Sequence, residues 1–142
     1  MDNHDLPRFL FKDATIPMLC FRVFALEVME HVPAPAAMLE EVHRLLAPDG
    51  LLLLSVPNPY FYSEILVEML RVPDTQGHLY AWTDANLRRL LDFAGFEVVQ
   101  RVGTYLDLPH RLGRLRRSKQ PLFIEGVPPL LARSRVYACR PR

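Results

Sequence analysis

Between Cys20 and Asn58 the chain places an apolar segment, an acidic-histidine corner, an amphipathic helix, a Pro-Asp-Gly turn and an unbroken apolar run, in that order. Few folds accommodate this order other than a βαβ crossover. Phe21 to Val28 reads as a strand. Pro35 sits where a first helical turn accepts proline, and Met38, Leu39, Val42, Leu45 and Leu46 recur at helical spacing, with the helix expected to end near Ala47. Pro48, Asp49 and Gly50 supply turn chemistry, and Leu51 to Val56 has the length and composition of a parallel strand covered by helices on both faces. The crossover is expected to be right-handed. Ligands of open parallel sheets bind outside the carboxyl ends of the strands. Those ends here carry Glu27, Glu30 and His31 after the first strand, and Pro57 and Asn58 after the second.

A chain of 142 residues with 50% hydrophobic content is the size of one small domain able to bury a core. Its net charge of +1 provides no global attraction to nucleic acid or to an anionic membrane, and no apolar stretch reaches the length of a membrane span. No N-terminal segment has the apolar core of a signal peptide, so the expected location is cytoplasmic. Cys20 and Cys139 fall in predicted strands and are expected to be buried free thiols. Neither has a partner at C-x-x-C spacing and the five histidines are scattered, so no metal site is expected.

Downstream, Tyr60 to Arg71 reads as a helix with Ile65, Leu66, Met69 and Leu70 on its inner face, broken by Pro73 to Gly77. Thr83 is a plausible N-cap for a helix carrying Leu87, Leu90, Leu91 and Ala94, and Gly95 supplies a left-handed stop. Phe96 to Val102 and Arg135 to Cys139 read as strands. Residues 103–134 form a long Pro- and Arg-rich connection. Within it, His110 to Lys119 is a basic run that reads either as a solvated loop or as a surface for an acidic acceptor, a phosphate or an anionic lipid surface.

Three pieces in order, Leu26-Glu27-Val28-Met29-Glu30-His31-Val32-Pro33, Glu41 to Gly50, and Ser55-Val56-Pro57-Asn58, resemble the class I S-adenosylmethionine-dependent methyltransferases whose fourth strand runs into a Glu-His turn. His78, Trp82-Thr83 and Ala94-Gly95-Phe96 continue the resemblance, and Phe11 to Ala14 with Ile16-Pro17 is similar to the segment leaving the family's third strand. The resemblance implies an α/β fold: a partial Rossmann-like methyltransferase sheet, with parallel strands, crossover helices and an antiparallel C-terminal strand pair. The family order is 3-2-1-4-5-7-6. The chain then divides into a third-strand remnant (1–19), a βαβ core (20–58), a lid-like insertion (59–82), a last helix and strand (83–102), the connection (103–134) and a final strand (135–142).

The implied cofactor is S-adenosylmethionine and the implied reaction is methyl transfer to an oxygen, nitrogen or carbon of a small-molecule acceptor. By resemblance Asp13, Leu26 and Glu27 lie on the cofactor side. His31 and Glu30 stand at the transfer site, where His31 is either a general base or a cap holding Glu30. Asn58, His78, Tyr60 and Trp82 are the candidate acceptor contacts, each with a structural alternative: turn chemistry for Asn58, a surface loop for His78, ordinary core for the aromatics. Glu27 has a structural alternative as well, held by a backbone N–H. Arg22 reverses the charge of the aspartate usual in the family.

The family's glycine-rich turn is absent, for the chain contains no GxG. The expectation is therefore the C-terminal part of a methyltransferase, with little cofactor affinity of its own, or a non-catalytic interaction module built on the same remnant. The family order also leaves the 21–28 strand with an open edge. Either the 8–12 segment or a second chain, as in a homodimer, is expected to cover it.

Overall fold

The computed structural model describes residues 20–73, 76–108 and 122–142. β1 (Cys20–Leu26), α1 (Pro35–Leu45) and β2 (Leu46–Pro57) form the expected βαβ unit. β1 and β2 are parallel, with Arg22 to Leu26 opposite Leu51 to Ser55, so the Glu-His and Pro-Asn corners leave the sheet at the same end. The chain continues through α2 (Tyr62–Met69), α3 (Asp84–Phe93), β3 (Phe96–Gly103), β4 (Tyr105–Leu108), β5 (Leu122–Glu125) and β6 (Ser134–Pro141). The main sheet has the order β1-β2-β6-β3, and β6 runs antiparallel to both neighbours. This is the 4-5-7-6 half of the family order. β4 and β5 pair antiparallel in a separate two-stranded sheet inside the expected connection. The basic run of that connection, like Asp13 and the 8–12 segment, lies outside the described residues.

Helix α1 ends two residues before expectation. Leu46 is already extended, because Ala47 precedes Pro48 and is held out of the helical region. The Pro-Asp-Gly turn is consequently absorbed into β2 as an irregularity: pairing passes from Cys20 with Leu46 to Arg22 with Leu51. Gly50 is required there by close approach, since a Cβ would stand 2.8 Å from the Ala47 carbonyl oxygen and 3.1 Å from that of Cys20. Gly95 fills the left-handed position expected after α3, at φ +82°.

The core lies on one face of the sheet. Ala25, Leu52, Leu54, Val56, Tyr137, Cys139 and Phe96 point inward to Leu39 and Val42 of α1 and Leu87 and Leu91 of α3. The expectation that helices cover both faces is not met among the described residues. Leu51 and Leu53 are only half-buried, and Phe24 and Leu26 beside them are exposed. The expected inner face of α2 is also corrected: Ile65, Leu66, Met69 and Leu70 are all exposed and the helix buries no residue. Helical periodicity located this helix but does not say whether anything packs on it. Cys20 and Cys139 are free, as expected, although Cys20 is only half-buried. Burial pushes the Cys139 thiol up to about 12, leaving it inert. Among the described residues β1 pairs only with β2.

The start of α3 is bolted to the sheet. Thr83 Oγ1 accepts from the Asn86 N–H, Tyr137 Oη donates to Asp84 at 2.8 Å, and Arg101 pairs with the other Asp84 oxygen at 2.6 Å. Partial burial works to raise the Asp84 carboxyl, but the bonds from Arg101 and Tyr137 outweigh it and hold the group below its ordinary 3.8. A carboxylate with a lowered folded-state pKa stabilises above its unfolded value, and that stability is lost as pH falls through the folded one.

Asp84→Asn is expected to cost about 1 kcal/mol at neutral pH, a charge-assisted bond discounted for partial exposure, and to flatten the stability loss below about pH 4. Urea titrations across pH measure both. By the same method, Leu91→Ala is expected to lose about 2–5 kcal/mol, because its site is fully enclosed.

Candidate active site

At the shared carboxyl edge of β1 and β2, the backbone of Glu27 turns into the left-handed region at φ +52°, unusual for a non-glycine residue. Neighbouring strands hold it there. Its N–H donates to Ser55 O (3.1 Å) and Oγ (3.0 Å), Ser55 Oγ donates to its carboxylate at 2.7 Å, and Ser134 Oγ reaches the other oxygen at 3.4 Å. The Glu27 carboxylate thus ties the corner to β2 and β6 through two serine hydroxyls rather than through a backbone N–H. The signal for its partner was Ser55, a lone hydroxyl in the apolar run Leu51 to Val56.

The turn that follows carries Met29 and Glu30 inward, both almost wholly buried, while His31 stays exposed. Burial pushes the Glu30 carboxyl above its ordinary range; its own nearby backbone amide and the charges of His31 and His78 oppose this, and Glu27 adds to it. Leu26, at the end of β1, is exposed.

The loop after α2 laces across this corner. Leu79 and Tyr80 N–H groups both donate to Glu30 O, at 2.7 and 3.3 Å, and Tyr80 Oη donates to Pro33 O at 3.0 Å. His31 Nδ1 lies 3.2 Å from Gly77 O, and the rings of His31 and His78 stand 4.9 Å apart. Sequence reading placed both histidines near a site, and the lacing brings them together. Gly77, whose carbonyl holds His31, carried no such signal beyond its position in the loop.

A cavity of about 510 Å³ opens beside this loop, lined in part by Pro57, His78, Tyr80 and Trp82. Trp82 belongs to the buried core and also lines the cavity, its ring 5.3 Å from that of Tyr80 and tilted 31° to it. Tyr60 is exposed and its side chain is not part of the cavity wall.

Asn58 is fully buried, and its side-chain amide donates to the carbonyls of Leu130 and Ala132, each at 2.8 Å, while its oxygen accepts from the Tyr60 N–H. In this conformation it clamps the 129–132 turn to the end of β2. Asn58→Ala is expected to cost about 2–3 kcal/mol by stranding buried carbonyls, and to speed proteolysis between Gly126 and Arg133. Denaturant melts and mass mapping of limited digests measure the two effects.

The family profile described as "Methyltransferase domain" matches residues 23–101. Ubiquinone biosynthesis O-methyltransferase of Psychrobacter arcticus is 36% identical over 92 residues, which are 60% of this chain and 36% of that protein. The same-named protein of Psychrobacter cryohalolentis is 39% identical over 64 residues, 42% of this chain and 25% of that one. The chain thus spans between a quarter and somewhat over a third of the length of these curated relatives. A SAM-dependent methyltransferase from Thermotoga maritima shares the fold at TM-score 0.64 and 17% identity, over 86% of this chain and 56% of that one. The pairing of β1, β2, β6 and β3, the Glu-His corner and these likenesses lead to one assignment: the chain belongs to the class I S-adenosylmethionine-dependent methyltransferase family.

Proposed function

We propose that this chain forms the acceptor side of an O-methyltransferase acting on a small molecule. The observation that carries the reading is the placement of the Glu30–His31 corner at the carboxyl end of parallel strands, beside a cavity walled by His78, Tyr80 and Trp82. The O-methyltransferase names of the two curated relatives support oxygen as the accepting atom.

S-adenosylmethionine, when bound, supplies an electrophilic methyl group on a sulfonium centre. Leu26 offers an exposed apolar surface for it, and Asp13 is the residue proposed for its adenine amino group. The Glu27 carboxylate accepts one bond from Ser55 and one from Ser134, which leaves lone pairs for a cofactor hydroxyl and keeps it the acidic candidate on the cofactor side. Since the chain carries no glycine-rich turn, its own affinity for the cofactor is expected to be low.

Within this reading His31 is the proton acceptor. A proton on Nδ1 donated to Gly77 O leaves the Nε2 lone pair available to take the hydroxyl proton as the acceptor oxygen forms its bond to carbon. Glu30, 4.0 Å from Nε2, stabilises the imidazolium that results. His78, Tyr80 and Trp82 orient the acceptor, with Asn58 fixing the end of β2 and exposed Tyr60 contacting an acceptor that extends beyond the cavity wall. The outer edge of β1 is covered in this reading by a second chain, since among the described residues that strand pairs only with β2.

Label transfer from methyl-labelled S-adenosylmethionine to a panel of small phenols and alcohols tests the proposal. His31→Gln is expected to lower kcat by about 10²–10⁴-fold with little change in KM. Absence of both transfer and cofactor binding by calorimetry, together with a stable dimer, would instead identify a non-catalytic interaction module.

A further inference from the structure

Glu30, His31 and His78 each offer one ligand atom, and these atoms all lie within 4.8 Å of one another. No spacing in the sequence announced this, because His78 is carried in by the loop laced over the corner. Two imidazoles and one carboxylate are a donor set suited to divalent transition ions, which use three protein ligands and leave further positions open.

An independent observation points the same way. The Glu30 side chain is 1% exposed, and neither of its oxygens has a hydrogen-bond partner among the described residues. Buried carboxylates are ordinarily hydrogen-bonded, paired or bound to a cation. Here one oxygen faces His31 Nε2 from 4.0 Å, too far for a hydrogen bond but suited to a shared ion. Ligands held about 2.1 Å from one ion stand roughly 3–4 Å apart, so closing the cluster needs only small side-chain rotations.

The orientation of His31 fits as well. Metal-bound histidines commonly donate their other ring N–H to a backbone carbonyl, which fixes the tautomer and aims the lone pair at the ion. His31 Nδ1 has Gly77 O at 3.2 Å, leaving Nε2 directed toward Glu30. His31 is 41% exposed and His78 lines the cavity, so an ion has an entry path and room for water or an acceptor oxygen.

We infer that Glu30, His31 and His78 form a binding site for a divalent transition-metal ion. The inference stands whether or not the chain transfers methyl groups. It does bear on the reading above, since a single Nε2 lone pair serves either the ion or a proton: His31 is a ligand when the site is loaded and a base only when it is empty.

Calorimetry with Zn²⁺ and visible absorption with Co²⁺ on the full chain test the site under reducing conditions. The expected result is one ion per chain, with cobalt ligand-field bands and without the strong near-ultraviolet thiolate band that binding at Cys20 or Cys139 would give. Glu30→Gln, His31→Gln and His78→Gln should each weaken binding by about tenfold or more, while His43→Gln, on α1, leaves it unchanged. Metal-free circular dichroism checks the fold of each variant. Should Glu30→Gln misfold, the partly exposed His78→Gln decides the matter alone. Affinity unaffected by His78→Gln, weakened equally by His43→Gln, or absent in the unsubstituted chain overturns the inference.

Discussion

The parallel ladder between β1 and β2, locked at its carboxyl end by Glu27 and Ser55, is the contact from which the rest of the site is built. Parallel pairing brings two strand ends to one edge, and the Glu27–Ser55 bonds fix where the first chain leaves the sheet. A left-handed backbone at a non-glycine residue costs on the order of 1–3 kcal/mol, and it persists because two hydrogen bonds donated to Ser55, one accepted from it and one accepted from Ser134 over-determine it. The turn that results drives Glu30 inward and leaves His31 at the surface. Without that lock the acidic and basic members of the corner have no reason to face each other.

A second layer of construction comes from long-range backbone bonds rather than side-chain packing. The carbonyl of buried Glu30 receives two N–H groups from Leu79 and Tyr80, which satisfies an inward-facing backbone acceptor and positions His78 next to His31. Asn58 does the corresponding work at the other strand end, closing the turn that precedes β6. The cavity between these anchors is therefore rimmed by held segments, even though α2, which also borders it, buries none of its own residues. That contrast makes the α2 side the part of the cavity with the fewest constraints on its shape.

One face of the sheet is a packed core and the other, over the described residues, is an apolar surface carrying Phe24 and Leu26. Two features follow from the same cause. The strand composition is that of a sheet covered on both sides, and α1 and α3 both pack on one side. An apolar run such as Leu51 to Val56 records that a strand is compatible with two covers; it does not record which residues supply them.

The sequence by itself determined the local elements and their order. Pro35, Thr83 and Gly95 set helix ends through backbone chemistry that acts within a few residues, and the apolar periods of α1, α3 and β2 set which side chains turn inward. The Glu-His and Pro-Asn corners were legible for the same reason, since strand ends in a βαβ unit must share an edge. Tertiary structure alone decided what those corners contain. It buried the Glu30 carboxylate, brought His78 across from a distant loop, and turned Asn58 toward backbone carbonyls. Each outcome depends on hydrogen bonds between residues 28 to 107 positions apart, and no local pattern encodes a partner at that range.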